Sequence, residues 1–142
     1  MSQSDLKKIA LFLAKHHVLT LATSDGLELS ACNLFYAFDE TKPSFVVVSS
    51  DDTTHIKNIS KNPSVAGTVV LETKTVAKIE GVQFRGEFLE LEDEDLKRLY
   101  FKTFPYAIAM NPKLWQIKVN YFKLTDNTLG FGKKIIWTPS FL

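Results

Sequence analysis

One short segment, SSDDTTHIKN at residues 49–58, gathers the side chains that are best suited to bind an anion. It follows an apolar run and precedes a helical pattern, so it lies where a strand passes into a helix. A helix N-terminus carries unpaired backbone N–H groups and a partial positive charge, and both attract phosphate. The hydroxyl and cationic side chains that would complete such a site are Ser49, Thr53 or Thr54, His55 and Lys57.

The same segment also has an ordinary structural interpretation. Asp52 or Thr53 would cap the helix by accepting hydrogen bonds from its first N–H groups, and the remaining residues would form a solvated surface. Taken by itself, the local sequence favours this interpretation, because helices are very often capped in this way. The phosphate site is the alternative, and the choice depends on the rest of the chain.

A second candidate anion-binding segment is LGFGKK at residues 129–134. It is not a phosphate-binding P-loop, because Ile135 follows Lys134 where that motif needs Ser or Thr. We expect a turn followed by the exposed, basic start of a strand. From there Lys133 and Lys134 could reach an anion bound by a neighbouring subunit.

Nucleophilic and metal chemistry have little support in the sequence. Cys32, the single cysteine, lies in a predicted strand, and no residue near it in sequence suits the role of its base. The three histidines, His16, His17 and His55, form no HExxH pattern and have no cysteine cluster beside them. We therefore expect no metal site and name no catalytic residue.

The elements that must position these residues begin with an amphipathic helix over residues 5–16, where apolar side chains recur at helical spacing. Two β segments then flank the pair Asp25-Gly26, which is a strong hairpin signal. The run SFVVVSS is a short strand that leads into the 49–58 segment. The helix that starts there should end before the pair Asn62-Pro63.

The second half of the chain predicts more strands. Gly81 and Gly86 interrupt one long strand and mark a bulge or bend. A helix follows and ends before Pro105, and the alternation of LWQIKVNYFKL slips at Phe122, which indicates another bulge. In total we predict a mainly β domain over residues 1–142, with six to seven mostly antiparallel strands and two to three helices. A small barrel would remove the free edges of so many strands.

Composition narrows the class of protein. The chain has 142 residues, 45% of them apolar and 23% charged, as is usual for a soluble globular domain. Its net charge of +1 argues against bulk binding of nucleic acid or an anionic membrane, and one cysteine excludes an internal disulfide. The apolar run IALFLA near the N-terminus is too short for a signal peptide or a membrane span. We expect a cytoplasmic protein.

The order of these elements resembles the pyridoxamine 5′-phosphate oxidase-like FMN-binding split barrels over essentially the whole chain. The segments KTVAKIEGVQFRGE and TDNTLGFGKKIIW are similar to a small, uncharacterised bacterial branch of that superfamily. The resemblance implies a split β-barrel that binds FMN at the interface of a homodimer. It also favours the phosphate site over a merely capped helix.

The resemblance implies particular cofactor-binding residues as well. The strand SACNLFYAF matches the one that runs beside the flavin ring, which implicates Cys32, Asn33 and Leu34. Val48 and Ser49 match the strand end that contacts the flavin and phosphate region. Gln83 lies in the strand that often presents an amide to the ring.

The phosphate clamp departs from the family pattern. Thr54 and His55 stand where the family usually has Arg and Lys, so two strong cations are missing. A bound dianion would favour protonated His55, and Lys57 would compensate in part.

The implied function is an FMN-binding protein, with an oxidoreductase acting on a small substrate as the enzymatic form of it. Dedicated pyridoxamine phosphate oxidase activity is not expected, because the C-terminal segment IIWTPSFL contains no Arg. The alternatives are a non-catalytic flavin or haem binder or sensor, and a split barrel that has lost its cofactor.

Overall fold

In a computed structural model, which describes residues 3–130 and 132–140, the chain folds into a curved sheet of eight strands that is covered by three α-helices. The helices are α1 (Gln3–Ala14), α2 (Thr54–Lys61) and α3 (Glu94–Thr103). The strands are β1 (Val18–Ser24), β2 (Leu29–Phe35), β3 (Ala37–Asp39), β4 (Ser44–Val48), β5 (Ser64–Val70), β6 (Glu80–Glu90), β7 (Leu114–Asp126) and β8 (Lys134–Trp137).

All strand pairs are antiparallel, in the order β2-β1-β5-β6-β7-β4-β3, and β8 pairs with the second half of β7. Among the described residues, β2 and β3 end this path without pairing with each other, so the barrel stays split. The prediction of a mainly β, antiparallel split barrel is therefore confirmed.

The sheet has one strand more than the sequence predicts, because the segment SACNLFYAF forms two strands, β2 and β3. Tyr36 separates them. Its N–H donates to the carbonyl of His17 at 2.9 Å, and its buried hydroxyl donates to the carbonyl of Leu13 at 2.7 Å. These bonds turn the chain from its pairing with β1 to its pairing with β4.

The bulge predicted at Gly86 and the one predicted before Phe122 are a single feature. Arg85 of β6 lies opposite Tyr121 of β7, whereas Gly86 lies opposite Val119, so Asn120 is an extra residue in β7. Because of this extra residue, Val119 and Phe122 both face the core although an odd number of positions separates them.

The core fills the inside of the barrel, where Phe45 packs against Phe84 and Phe122 with ring centroids 4.7 and 6.1 Å away. Helix α1 adds four buried side chains, Leu6, Ile9, Phe12 and Leu13. Helix α3 covers a second, smaller cluster on the outer side of β4 that contains Val46 and Leu96. None of the helices described is long and apolar enough to cross a membrane.

Candidate functional site

The segment between β4 and α2 is the part of the fold that carries the predicted phosphate residues. Thr53 is the N-cap of α2, with an extended backbone and a side-chain oxygen that accepts a hydrogen bond from the Ile56 N–H at 3.4 Å. Its hydroxyl donates to the carbonyl of Ser50 at 2.8 Å. The predicted cap and the predicted end of the helix before Pro63 are both confirmed.

Ser49 and His55 form a buried pair at this point. The Ser49 Oγ and the His55 Nε2 are 2.6 Å apart in a hydrogen bond, and the two residues are only 7% and 9% exposed. Burial lowers the pKa of His55, so its imidazole is neutral at physiological pH and adds no positive charge by itself. The Thr53 hydroxyl lies farther away, 3.4 Å from the same nitrogen.

The groups at the start of α2 that face solvent are different ones. Thr54 and Lys57 are exposed, one turn apart on the helix. Within the described part of the chain, no acceptor is bonded to the backbone N–H groups of Thr54 and His55. The positive end of the helix thus offers two N–H groups, a hydroxyl and an ammonium group to an incoming anion.

Strand β7 and the turn before it hold this segment in place. The indole N–H of Trp115 donates to the carbonyl of Ser49 at 3.0 Å, and the Ser49 N–H donates to the carbonyl of Lys113 at 3.3 Å. The Lys113 ammonium lies 2.9 Å from carboxylate oxygens of both Asp51 and Glu90. These two carboxylates raise the pKa of Lys113.

Sequence reasoning missed Trp115 and Lys113 as parts of the site. Trp115 is 66 positions away from Ser49, and the only signal at Trp115 was the alternation that placed it facing the core. A second missed contact joins α2 to β1, where the amide of Asn58 donates to the hydroxyl of Thr23 at 3.0 Å and both side chains are buried.

The remaining predicted residues lie on two sides of the sheet. Cys32 and Leu34 point inward from β2, half-buried against the core. Burial raises the pKa of the Cys32 thiol, so it stays protonated and unreactive at neutral pH. Val48 packs outside the barrel, on the cluster under α3, next to Ser49.

Asn33 and Gln83 are exposed on the outer face of the sheet, where the strand register sets them in one polar row. Thr20 lies opposite both Asn33 and Thr68, and Thr68 lies opposite Gln83. Three strand spacings separate the two amides, which corresponds to about 14 Å. The Thr20 hydroxyl donates to the Asn33 amide oxygen at 3.0 Å.

A second row, of alanines, runs beside the polar one. Ala22 lies opposite both Ala31 and Ala66. A shallow depression of about 270 Å³ covers the two rows between β1 and β7 and reaches Gln83 and Arg85. This outer surface is open to solvent, whereas the Ser49–His55 pair is buried.

The structure therefore brings Ser49, Thr54, His55 and Lys57 together at the start of α2, and it leaves Asn33 and Gln83 apart from them. A larger cleft of about 940 Å³ lies at the α1 end of the barrel and contains none of the predicted site residues. Residues 3–130 and 132–140 include no cluster of three or more metal-ligating side chains.

No model of a known protein family matches the chain. Among proteins of similar sequence, the UPF0306 protein YhbP of Escherichia fergusonii is 43% identical over 138 residues, which cover 95% of this chain and 94% of that protein. A UPF0306 protein of Cronobacter sakazakii is 44% identical over 135 residues, covering 93% and 94%.

Solved structures with the same fold include the following three proteins. A heme binding protein from Mycobacterium smegmatis superposes with a TM-score of 0.76 at 18% identity, over 97% of this chain and 59% of that chain. HutZ, a heme storage protein from Vibrio cholerae, gives 0.67 at 16% identity over 80% and 89%. A FAD-binding protein from Mesorhizobium loti gives 0.67 at 18% identity over 87% and 92%. At these identities the likeness extends to the fold alone.

Proposed function

The chain belongs to the UPF0306 family of bacterial proteins, and on that premise we propose that it is a split barrel of the pyridoxamine 5′-phosphate oxidase-like kind that binds FMN. The observation that carries the proposal is the set of hydrogen-bond donors at the start of α2, where Thr54 and Lys57 are exposed. Two backbone N–H groups, the hydroxyl of Thr54 and the ammonium of Lys57 suit the terminal oxygens of a phosphate. Two proteins of similar fold also support it by name, since the one from Mesorhizobium loti is called FAD-binding and the one from Mycobacterium smegmatis is called heme binding.

Ser49 and His55 act behind this set of donors. Their hydrogen bond, and the bond from Trp115 to the Ser49 carbonyl, fix the end of β4 against the first turn of α2. A bound phosphate dianion favours the charged form of the nearby imidazole, so binding raises the pKa of His55 from its lowered value. The histidine thereby supplies part of the charge that an Arg-Lys pair would supply.

The flavin ring is assigned to the outer side of β2, which contacts both β4 and α2. Asn33 offers its amide there, Gln83 offers a second amide farther along the sheet, and Cys32 and Leu34 support the strand from within. The bound flavin supplies hydride or electron transfer, which makes the protein an oxidoreductase when a reductant and a small substrate are available. The chain binds and orients the ring.

Haem is the second candidate, because two of the similar folds are named as heme-binding or heme-storage proteins. The histidines of this chain favour flavin instead. His55 is buried and its Nε2 is bonded to Ser49, and His16 packs on the Phe12 ring with centroids 4.5 Å apart. Only His17 is exposed. For His55 to ligate a haem iron through its Nε2, its hydrogen bond to Ser49 would first have to break.

The first experiment is the absorbance spectrum of protein purified without added cofactor. Two flavin bands support the proposal, and a Soret band would replace it with haem. If the protein is colourless and takes up no FMN at micromolar concentration, the proposal fails and the barrel has lost its cofactor. Bleaching of bound flavin by NADH or NADPH would support the oxidoreductase.

The second experiment separates the phosphate site from the ring site by titrating FMN and riboflavin in parallel. We expect FMN to bind more tightly, and Lys57→Gln to weaken FMN about tenfold, since one charge-assisted hydrogen bond is lost, while riboflavin is unaffected. Lys61→Gln is the matched control, because Lys61 is exposed in the last turn of the same helix. Equal affinities for the two flavins would contradict a phosphate site at α2.

A further inference from the structure

A cleft of about 940 Å³ opens at the end of the barrel that α1 covers, and the proposed flavin site does not use it. Small-molecule sites in proteins usually have volumes of about 300–1,000 Å³, so this cleft has the size of one. Its walls come from α1, the start of β4, the strands β6 and β7, and the end of β8. The lining residues that matter here are Leu6, Ser44, Glu87, Lys118, Val119 and Trp137. We call this space the end cleft.

The end cleft exists because two strands pair with the same edge of β7 and leave a gap between them. Strand β6 pairs with one edge of β7 over almost its whole length. On the other edge, β4 begins opposite Lys118 and β8 ends opposite Phe122. Residues 119–121 therefore have no partner strand on that edge, which leaves about 10 Å of β7 uncovered. At the β4 end of the gap, the Val119 N–H donates to the carbonyl of Pro43 at 3.0 Å.

One wall of the end cleft carries an indole N–H group without an acceptor. Trp137 is only 7% exposed, and its ring packs on Phe122 with centroids 5.9 Å apart. Among the residues that the structure describes, none accepts a hydrogen bond from its Nε1, whereas the indole of Trp115 donates to the Ser49 carbonyl. In the same part of the chain, every completely buried side-chain nitrogen or oxygen has a hydrogen-bond partner. The Trp137 N–H is therefore not enclosed, and it opens into the cleft that its side chain lines.

Two charged side chains at the rim of the end cleft also lack partners. Lys118 of β7 lies directly opposite Glu87 of β6, and residues paired in this way have Cβ atoms about 5 Å apart. Both side chains are exposed, and within the described ranges neither forms an ion pair. The other charged lining residues, Glu40 and Lys42, lie in the turn between β3 and β4, and the Lys42 ammonium is bound to Asp93 at 2.7 Å. The β6–β7 rim thus presents a free ammonium group beside a free carboxylate.

We propose that the end cleft binds a free α-amino acid with a large apolar side chain. The Trp137 N–H is only a donor, so it requires an acceptor atom on the ligand, and the ligand carboxylate supplies one. The same carboxylate binds the Lys118 ammonium, and the ligand ammonium binds the Glu87 carboxylate. A ligand with one kind of charge would leave the other rim charge without a partner, whereas a zwitterion pairs with both.

The buried walls of the end cleft suit the apolar side chain of such a ligand. Leu6 is 8% exposed and Val119 is 4% exposed, and both line the cleft together with the ring of Trp137. Covering these groups removes apolar surface of both the ligand and the protein from water, which favours binding. Leucine and phenylalanine should therefore bind more tightly than glycine.

The end cleft is separate from the proposed phosphate site. Strand β4, which has five residues, begins at Ser44 beside the cleft and leads to Ser49, a length of about 17 Å. The cleft contains none of the residues proposed to bind FMN. Binding of an amino acid and binding of FMN are therefore independent, and the failure of either proposal leaves the other standing.

The test is a titration of the full, ¹⁵N-labelled chain with L-phenylalanine, followed by the indole N–H signals in ¹H–¹⁵N correlation spectra. The chain has two tryptophans, and the spectrum of Trp137→Phe identifies which signal belongs to each. The Trp137 signal should shift with a dissociation constant of about 1 mM or below, and the signal of Trp115, bonded to Ser49, should stay in place. No shift at ~10 mM overturns the site, and equal shifts of both signals overturn it as well.

Two analogues with the same phenyl ring test the class of ligand. Phenylpropionate lacks the ammonium group, and phenethylamine lacks the carboxylate. Each should bind at least about tenfold more weakly than L-phenylalanine, since one charge-assisted interaction is lost. If either analogue binds as tightly as L-phenylalanine, the zwitterion assignment is overturned.

Substitutions at the rim test the residues that recognise the two charges. Lys118→Gln and Glu87→Gln should each weaken L-phenylalanine binding about tenfold, and Lys118→Arg should restore most of the affinity. Lys102→Gln and Glu92→Gln are the matched controls, because both residues are exposed and lie outside the cleft. Far-UV circular dichroism and a thermal melt establish that each variant is folded. Folded Lys118→Gln and Glu87→Gln variants with wild-type affinity overturn the assignment of the rim.

Discussion

The hydroxyl of Ser49 and the Nε2 of His55 are 2.6 Å apart and almost completely buried, although the two residues lie on either side of an exposed turn. The bond joins the end of β4 to the first turn of α2. It divides the predicted phosphate residues into two kinds. Ser49 and His55 set the geometry of the segment from within, and Thr54 and Lys57 face the solvent.

Removing one partner of this bond should destabilise the fold. Ser49→Ala leaves a buried imidazole nitrogen without its hydrogen bond, which costs about 1–3 kcal/mol. The matched control is Ser50→Ala, since Ser50 is exposed, and it should change the free energy of unfolding by less than ~0.5 kcal/mol. Urea denaturation measures both. Equal midpoints for the two variants would mean that the Ser49–His55 bond contributes nothing to stability.

The lowered pKa of His55 predicts how stability depends on pH. The pKa is about 6.5 in the unfolded chain and lower in the folded one, so between these values only the unfolded chain binds the proton. Stability is therefore complete above pH ~6.5 and decreases as the pH falls through this window. His55→Gln should reduce the slope of the free energy of unfolding against pH in this window. It should not abolish it, because burial also lowers the pKa of His16.

The same histidine predicts the opposite sign for FMN affinity. A bound dianion raises the pKa of His55, so binding takes up a proton and the affinity falls as the pH rises through the pKa of the complex. The decrease can reach about tenfold per pH unit. It should be measured above pH ~6.5, where the phosphate is already mostly a dianion. A pH-independent affinity in the wild type, or the same dependence in His55→Gln, would exclude His55 from the phosphate site.

Local signals in the sequence predicted the elements well, because each one acts within a few residues. Asp25 accepts hydrogen bonds from the N–H groups of Leu27 and Glu28, and Gly26 has φ 101°, as expected for the hairpin turn that the Asp-Gly pair indicates. The Thr53 cap and the bulge at Gly86 were predicted in the same way.

Contacts between distant segments were not predictable. Nothing near Tyr36 indicates that its hydroxyl bonds to α1 and divides β2 from β3. Likewise, the row from Asn33 to Gln83 exists only because the registers of three strand pairs align. A local sequence pattern does not determine the register between two strands. The residue types of the site could therefore be predicted from the sequence, whereas their division between a buried pair and an outer face required the structure.

Two adjacent threonines should separate stability from binding. Thr53 is the N-cap, so Thr53→Ala should lower the free energy of unfolding by about 0.5–2 kcal/mol. Thr54 is exposed, and its hydroxyl is free to bind a ligand. Thr54→Ala should therefore leave stability nearly unchanged and weaken FMN relative to riboflavin. Chemical denaturation and flavin titration on both variants test this, and the reverse result would mean that the two roles are exchanged.

Gly67 should not tolerate even a methyl group. A Cβ at this position would overlap the Phe84 ring and the carbonyl oxygen of Thr20, both of which are fixed in the barrel wall. Gly67→Ala should cost at least about 1–3 kcal/mol, as for other overpacked sites. Gly81→Ala is the control in the neighbouring strand, where the nearest atoms would be 3.6 Å from the new Cβ. Thermal melts of the two variants should differ by several degrees, and equal melting temperatures would show that the barrel wall can adjust.

Trp115 should affect FMN binding without contacting the cofactor, because its indole N–H holds the Ser49 carbonyl at 3.0 Å. Trp115→Phe keeps an aromatic ring against Phe88 but removes that donor, so the segment before α2 loses one of its hydrogen bonds.

Trp137→Phe is the matched control, since Trp137 is equally buried and packs on Phe122 at the other end of the barrel. Both variants should lose stability through the smaller ring. Only Trp115→Phe should also weaken the binding of FMN relative to that of riboflavin. A shift of Ser49 displaces the start of α2, and the donors proposed to bind the phosphate lie there. If both variants change the FMN-to-riboflavin affinity ratio equally, the loss reflects general loosening of the barrel, and the bond to Ser49 does not position the site.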